Sequence, residues 1–399
     1  MTYDSARHAP LAAAVWSPDD ARAAIGEIVA GAEARFDPER WWPGHPMDEG
    51  VPDGMPGLYF GAAGMIWGME FLKREGAADH ALDFAPMLPG LLAAISAQLS
   101  QMPPAFGLEP NRASYLFGEP PVLLMMIRAG NAGAADDLYR RIDSNRDLPI
   151  LELMWGAAGT MLACVFAHEM TGEDRWRTLF QAQAARVLAD LQDGPDGPIW
   201  TQRLYGQTAR YLGPVHGYAG DTLALLRAWD WLEPDQQGRI KSACLATLTA
   251  NARPSAQGTN WPAKAGDDAG PMLVQYCHGA AGMVASLADP RIAGPELTAL
   301  LSDGGRLVWT AGPLAKGSNL CHGTGGNGFA FLKLHALTGD PAWLGHARAF
   351  AMAAIDQCRA ARAELGRGRY TLWTGDIGLA VFLHECLRET ARFPTVDVF

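Results

Sequence analysis

Two short stretches of the chain carry a thiol and an imidazole side by side. They are Gln275-Tyr276-Cys277-His278-Gly279 and Asn319-Leu320-Cys321-His322-Gly323, and each runs into a glycine-rich turn and then an apolar segment. Deprotonated cysteine and neutral histidine are common zinc ligands. Two copies in one local context, one repeat apart, point to a single metal held between neighbouring elements. Two thiolates and one imidazole leave a tetrahedral zinc with one exchangeable position, the pattern of a catalytic site, whereas four ligands close it as a structural one. Two thiolates also make a soft shell that suits a further thiolate. Spacing alone leaves His278 and His322 as alternatives, and both together would close the shell.

Further groups stand in comparable places. His216 precedes Gly217 as the other two histidines precede their glycines, but it has no cysteine neighbour. An imidazole titrates near neutral pH, at about 6.5, so His216 is a candidate acid or base. Glu152, four residues before Gly156, is placed to orient His216 or accept a proton. Its plainer reading is a carboxylate favoured by a helix N-terminus. Cys164, Cys244, Cys358 and Cys386 fall inside helical patterns and read as small buried apolar residues. His168 and His384 read as structural.

The elements that must position these groups repeat along the chain. The local form is an apolar or aromatic approach, then Gly-x-x-Gly, then about a dozen apolar residues. Copies begin at Gly61, Gly156, Gly217, Gly279, Gly323 and Gly375, and a degenerate one at Gly118 has Pro121 in place of its second glycine. The first glycines are 57, 38, 61, 62, 44 and 52 residues apart, a scale that signals repeat architecture. Each pattern reads as a helix start, since glycine permits tight turns and close approach. The helix that follows is apolar nearly all round and hence buried on most sides. Amphipathic segments lie between, at Asp174–Leu191, Asp235–Ala250, Pro295–Thr310 and Ala342–Arg362. The expectation is an all-α chain, an α/α toroid of about seven inner and seven outer helices. Parallel inner helices would gather their N-termini at one mouth. Residues 1–56 read as a lead-in packed on the ring, with a helix from Pro18 to about Phe36, and residues 57–399 as a single toroidal domain. Short β-branched runs such as Pro198-Ile199-Trp200-Thr201 read as local hairpins, with no sheet implied.

Composition narrows the partners. The 399 residues carry 43 acidic against 32 Lys and Arg side chains, a net charge of −11. That weighs against nucleic acid and anionic membrane. Six cysteines give no small disulfide framework. No apolar leader follows Met1, and no apolar run reaches membrane-spanning length. The expectation is a cytoplasmic protein in a reducing compartment.

The runs His216-Gly217-Tyr218-Ala219-Gly220, Cys277-His278-Gly279-Ala280-Ala281-Gly282 and Cys321 through Asn327 together resemble the lanthionine synthetase C-like family, from about Gly57 to Leu387. Glu152-Leu153-Met154-Trp155-Gly156-Ala157-Ala158-Gly159 and Gly57-Leu58-Tyr59-Phe60-Gly61 look like that family's eukaryotic-type, glutathione-linked branch. The departures are Pro121 and Asp376, and no dehydratase domain is fused to the chain. The resemblance implies an α/α toroid with zinc held by Cys277, Cys321 and His322, and His216 and Glu152 as the active-site histidine and acid. It implies zinc-dependent addition of a thiol, from glutathione or a peptide cysteine, to dehydroalanine or dehydrobutyrine in a dehydrated peptide or protein. The alternatives are a lanthionine-forming peptide cyclase and a non-catalytic glutathione- or peptide-binding module. A prenyltransferase-type zinc shell would include an aspartate, and a toroidal glycosidase would need paired carboxylates at the mouth. Neither is present.

Overall fold

The computed structural model describes residues 2–12, 15–48, 53–101, 111–267 and 269–399. Among them are seven helices that follow the glycine signatures: α2 (Ala62–Arg74), α4 (Pro120–Arg128), α6 (Ala157–Thr171), α8 (Tyr218–Arg227), α10 (Ala280–Leu287), α12 (Thr324–Thr338) and α14 (Asp376–Arg388). Seven more alternate with them: α1 (Pro18–Ala34), α3 (Leu88–Ser100), α5 (Ala134–Ser144), α7 (Arg175–Ala189), α9 (Pro234–Asn251), α11 (Pro295–Ala311) and α13 (Pro341–Leu365). The first set is buried on nearly every side; in α6 every residue from Ala157 to Ala167 is buried. The second set is amphipathic, and α5 buries only Ala134, Leu138 and Ile142, spaced at four.

The buried helices contact one another in chain order, α2 to α4 and onward to α14, and α14 returns to α2. This is a closed inner ring. The amphipathic helices pack around it. Helix α1 lies on α14 and α13, so the first helix of the chain covers the last inner one. The all-α toroid of seven and seven expected from the repeats is the fold. No helix of the described residues is long and apolar enough to cross a membrane.

Sterics explain why glycine recurs at each helix start. A Cβ on the second glycine of a pair would meet the carbonyl oxygen of the residue six before it. The separation would be 2.2 Å at Gly64, 1.8 Å at Gly220, 1.8 Å at Gly282, 1.7 Å at Gly326 and 2.2 Å at Gly378. The approach loop folds back onto the helix it introduces, and only a hydrogen fits between them. In the degenerate copy α4 opens on Pro120, where the missing N–H would have had no helical partner. Helices α6 and α12 end on Gly172 and Gly339, with φ of 70° and 71°, as left-handed caps.

The approach loops lie edge to edge. At four of the junctions the residue two before the first glycine pairs its main chain with its counterpart in the next loop. Tyr59 N–H donates to Leu116 (3.1 Å), Leu116 to Met154 (3.3 Å), Cys277 to Cys321 (3.0 Å) and Cys321 to Trp373 (2.9 Å). Equivalent positions of separate repeats therefore meet on one face, which is the mouth.

Two short hairpins project between outer and inner helices, β1 (Gln202–Leu204) with β2 (Gln207–Ala209) and β3 (Arg253–Ser255) with β4 (Gly258–Asn260), both antiparallel. The first lies a few residues beyond the stretch expected from the sequence. Ile199 and Trp200 are buried instead, and the Trp200 indole donates to the Val187 carbonyl at 2.7 Å. The chain reverses at Tyr205-Gly206, where both residues have positive φ.

Candidate functional site

The loops before α10 and α12 bring Cys277, Cys321 and His322 together. One ligand atom from each lies within 4.8 Å of the others. The turn holding His322 is capped from Asn319, whose Oδ1 accepts the His322 backbone N–H at 3.0 Å. The protonation states suit a cation. Burial, then the nearby Lys316 charge, lowers the His322 imidazole to about 4, so it is neutral and free to ligate. A hydrogen bond from Cys321 is the main cause holding the Cys277 thiol below its ordinary range. The same contact and burial push Cys321 up. One of the two sulfurs gives up its proton readily and the other keeps it, an arrangement that a divalent cation would relieve.

His278 is not in this group. It is half-buried, its buried Nδ1 has no hydrogen-bond partner, and desolvation lowers it to about 4. Of the two histidines that spacing left open, His322 is the one gathered with both cysteines.

Glu152 and His216 meet from adjacent repeats, with His216 Nδ1 2.8 Å from Glu152 Oε2. The carboxylate is fully buried and held by its own turn. Oε1 accepts the Trp155 N–H at 2.5 Å and Oε2 the Met154 N–H at 3.1 Å. In two other copies the corresponding residue does the same job. Ser114 Oγ accepts from Phe117 N–H at 3.1 Å, as Asn319 does from His322. In these three copies the position four before the glycine caps the turn, and in this repeat Oε2 of the cap also takes an imidazole. With Nδ1–H donated to Glu152, Nε2 of His216 is left without that partner. His216 lies close enough to favour the Cys277 thiolate.

Several neighbours were not singled out by sequence. Tyr59 donates its hydroxyl to Cys321 Sγ at 2.9 Å, and Gln275 donates its amide to Cys277 Sγ at 2.9 Å. Register is the one sequence signal they share. Tyr59 stands two before its glycine, like the cysteines, and Gln275 four before, like Glu152. Behind Glu152, Gln202 Nε2 donates to the fully buried Asp221 at 2.8 Å, and burial holds that carboxyl well above the usual range. No spacing marks this contact. Trp155 is stacked on Phe117 at 4.9 Å and donates its indole N–H to the Tyr205 hydroxyl at 2.9 Å, while the Tyr205 ring meets His216 edge-on at 5.7 Å. Aromatic groups therefore line the Glu152–His216 pair.

Comparison with known proteins agrees with this architecture. Residues 49–398 match the family described as lanthionine synthetase C-like protein. The chain is 26% identical over 266 residues to "Glutathione S-transferase LANCL1" of Danio rerio, covering 62% of each chain. It is 30% identical over 231 residues to "LanC-like protein GCL1" of Arabidopsis thaliana, covering 54% of this chain and 51% of the relative. The matches thus span less than two thirds of either relative's own length. Among solved structures the fold resembles "Nisin cyclase", with a TM-score of 0.61 and 13% identity over 90% of this chain and 92% of that one. With the ring of fourteen helices and a match over most of its length, the chain belongs to the lanthionine synthetase C-like family.

Proposed function

We propose that this protein is an enzyme that adds a thiol to dehydroalanine or dehydrobutyrine residues of a peptide or protein, forming a thioether, with glutathione as the donor. The observation that carries the reading is one mouth holding two thiols and a neutral imidazole beside a carboxylate-held histidine. The relative named as a glutathione S-transferase supports glutathione over an internal cysteine. Free cysteines and thiol chemistry both suit a reducing compartment such as the cytoplasm.

Cys277, Cys321 and His322 would hold zinc, which supplies a Lewis-acidic position that lowers the pKa of an incoming thiol from about 8.5. The chain's own groups do the rest. In the addition, the thiol sulfur bonds to the β-carbon and the electron pair of the C=C bond moves to the α-carbon. One proton leaves sulfur and one arrives at carbon. Nε2 of His216 delivers that proton, and Glu152 at Nδ1 holds the ring's tautomer and stabilises its charged form. The aromatic rings of Phe117, Trp155 and Tyr205 line one side of the pair.

The test incubates zinc-loaded protein with a dehydroalanine peptide, once with glutathione and once with a cysteine in the peptide itself, and follows adduct mass. Cys321→Ala serves as the control for uncatalysed addition. Acceleration with glutathione supports the proposal. Acceleration only with the internal cysteine makes the protein a peptide cyclase. Rates equal to the control with both donors leave a binding module.

A further inference from the structure

Each thiol of the candidate metal centre accepts one hydrogen bond from a neutral donor that belongs to neither the triad nor the acid–base pair. Tyr59 comes from the first repeat. Its ring is buried and held between Phe117, stacked at 5.7 Å, and Trp373, stacked at 5.8 Å. Its backbone N–H is tied to Leu116. A ring clamped on both faces has little freedom, and its hydroxyl rests on Cys321 Sγ at 2.9 Å. Gln275 is buried too. Its backbone N–H donates to His278 O at 3.0 Å, its side-chain amide to Cys277 Sγ at 2.9 Å, and its Oε1 is buried without a partner. Leaving that acceptor unpaired costs stability. The amide nitrogen must nonetheless face the sulfur once the sulfur is a thiolate, because an oxygen there would be repelled.

We propose that Tyr59 and Gln275 are a matched pair of positioning residues, one for each metal-binding sulfur, that draw electron density from the thiolates and so set how readily the centre takes up an external thiol. The inference rests on the metal-centre reading given under the proposed function. Hydrogen bonds to ionised acceptors are stronger than those between neutral groups. Groups that bond to a metal's ligands tune the metal, and their loss typically costs 10–100-fold in affinity or activity. Phenol and amide are both uncharged. They reduce the charge each sulfur presents without adding charge of their own, which leaves the centre more acidic toward a further anionic sulfur.

The experiment uses the full-length protein loaded with cobalt(II), whose thiolate-to-metal absorption reports the electron density on sulfur. Tyr59→Phe, Gln275→Met and the double variant are compared with the wild type, each checked for one bound cobalt and unchanged helical circular dichroism. The probe thiol is 2-mercaptoethanol. Each single variant is expected to shift the charge-transfer band to longer wavelength, and the double variant to shift it further. The 2-mercaptoethanol concentration that half-saturates the spectral change is expected to rise about 10-fold in the double variant. A merely structural role would leave the band of a correctly folded, cobalt-loaded variant in place. Unmoved bands and unchanged half-saturation overturn the inference while the metal centre stands. A shift in one single variant but not the other overturns the pairing. Gln275→Met is read independently of whether Tyr59→Phe folds. A wild-type protein that gives no thiolate-to-cobalt band defeats the metal-centre reading itself, a different result from any of these.

Discussion

Glu152 does two jobs with two oxygens, and substitution can separate them. The buried carboxylate receives three donors: the Trp155 N–H, the Met154 N–H and His216 Nδ1. Glu152→Ala strands two buried backbone N–H groups at about 1–3 kcal/mol each, so the folded state should lose about 2–6 kcal/mol. That is a large part of the 5–15 kcal/mol typical of a whole domain. Glu152→Gln keeps one acceptor oxygen and turns the other into a donor facing another donor. Its cost should be near the loss of one such bond, about 1–3 kcal/mol. The two variants should differ less in catalysis. Neither offers an ionised partner to His216, and placed acid–base catalysis contributes about 10²–10⁴-fold. Turnover should therefore fall by about 100-fold or more in both. Denaturant unfolding followed by circular dichroism measures the first quantity, and adduct mass on a dehydroalanine peptide the second. A Glu152→Gln protein that loses stability yet keeps wild-type turnover would refute the reasoning and make Glu152 a turn cap like Ser114. A Glu152→Ala protein as stable as the wild type would refute the hydrogen-bond accounting.

Cys321→Ala should lose its metal in elemental analysis, whereas Cys244→Ala, buried in α9, should keep it. His216→Ala should retain the metal and lose turnover by about 100-fold, and loss of metal instead would make His216 a ligand. Gly326→Ala would put a Cβ 1.7 Å from the Leu320 carbonyl, so the loop bearing Cys321 must move; we expect a loss of several kcal/mol, visible as a lower denaturation midpoint. His346 is stacked on Trp309 at 3.8 Å, and burial lowers its pKa. The unfolded chain then takes up this proton first as pH falls through about 6.5, so the folded state loses stability on acidification, and His346→Phe should flatten the fall in midpoint between pH 7 and pH 5.

The inner ring was legible because its constraint is a main-chain clash, and a clash that admits only glycine leaves glycine in the sequence. The cysteines and histidines were legible because few residue types do their chemistry. Tyr59 and Gln275 were not, since a tyrosine or glutamine near a helix start has many ordinary uses. Only the meeting of Tyr59 from the first repeat with Cys321 of the sixth, and of Gln275 with Cys277 within the fifth, gives these two a meaning. Asp221 was hidden for another reason. It lies within the first turn of α8, where an acid is expected to favour the helix dipole, and only the packing of Gln202 beside it reveals a buried carboxyl. Hairpin β1–β2 was misplaced by a few residues because Ile199 and Trp200 serve the core better than a strand.

The closure of the ring also sets an order of events during synthesis. Helix α1 is made before the other thirteen helices described, yet its main partner, α14, is the last of them. Until then α1 must wait with Ile25, Ile28 and Val29 uncovered. The carbonyl of Trp373, in the loop before α14, receives the N–H groups of both Leu320 and Cys321. The loop that presents Cys321 therefore lacks its support until the final repeat docks. Bringing the two ends of a long chain together is the slow, entropically costly kind of contact. A chain cut short before Trp373 would lack the carbonyl that holds the Cys321 loop, and its thiol pair would not be fixed in place.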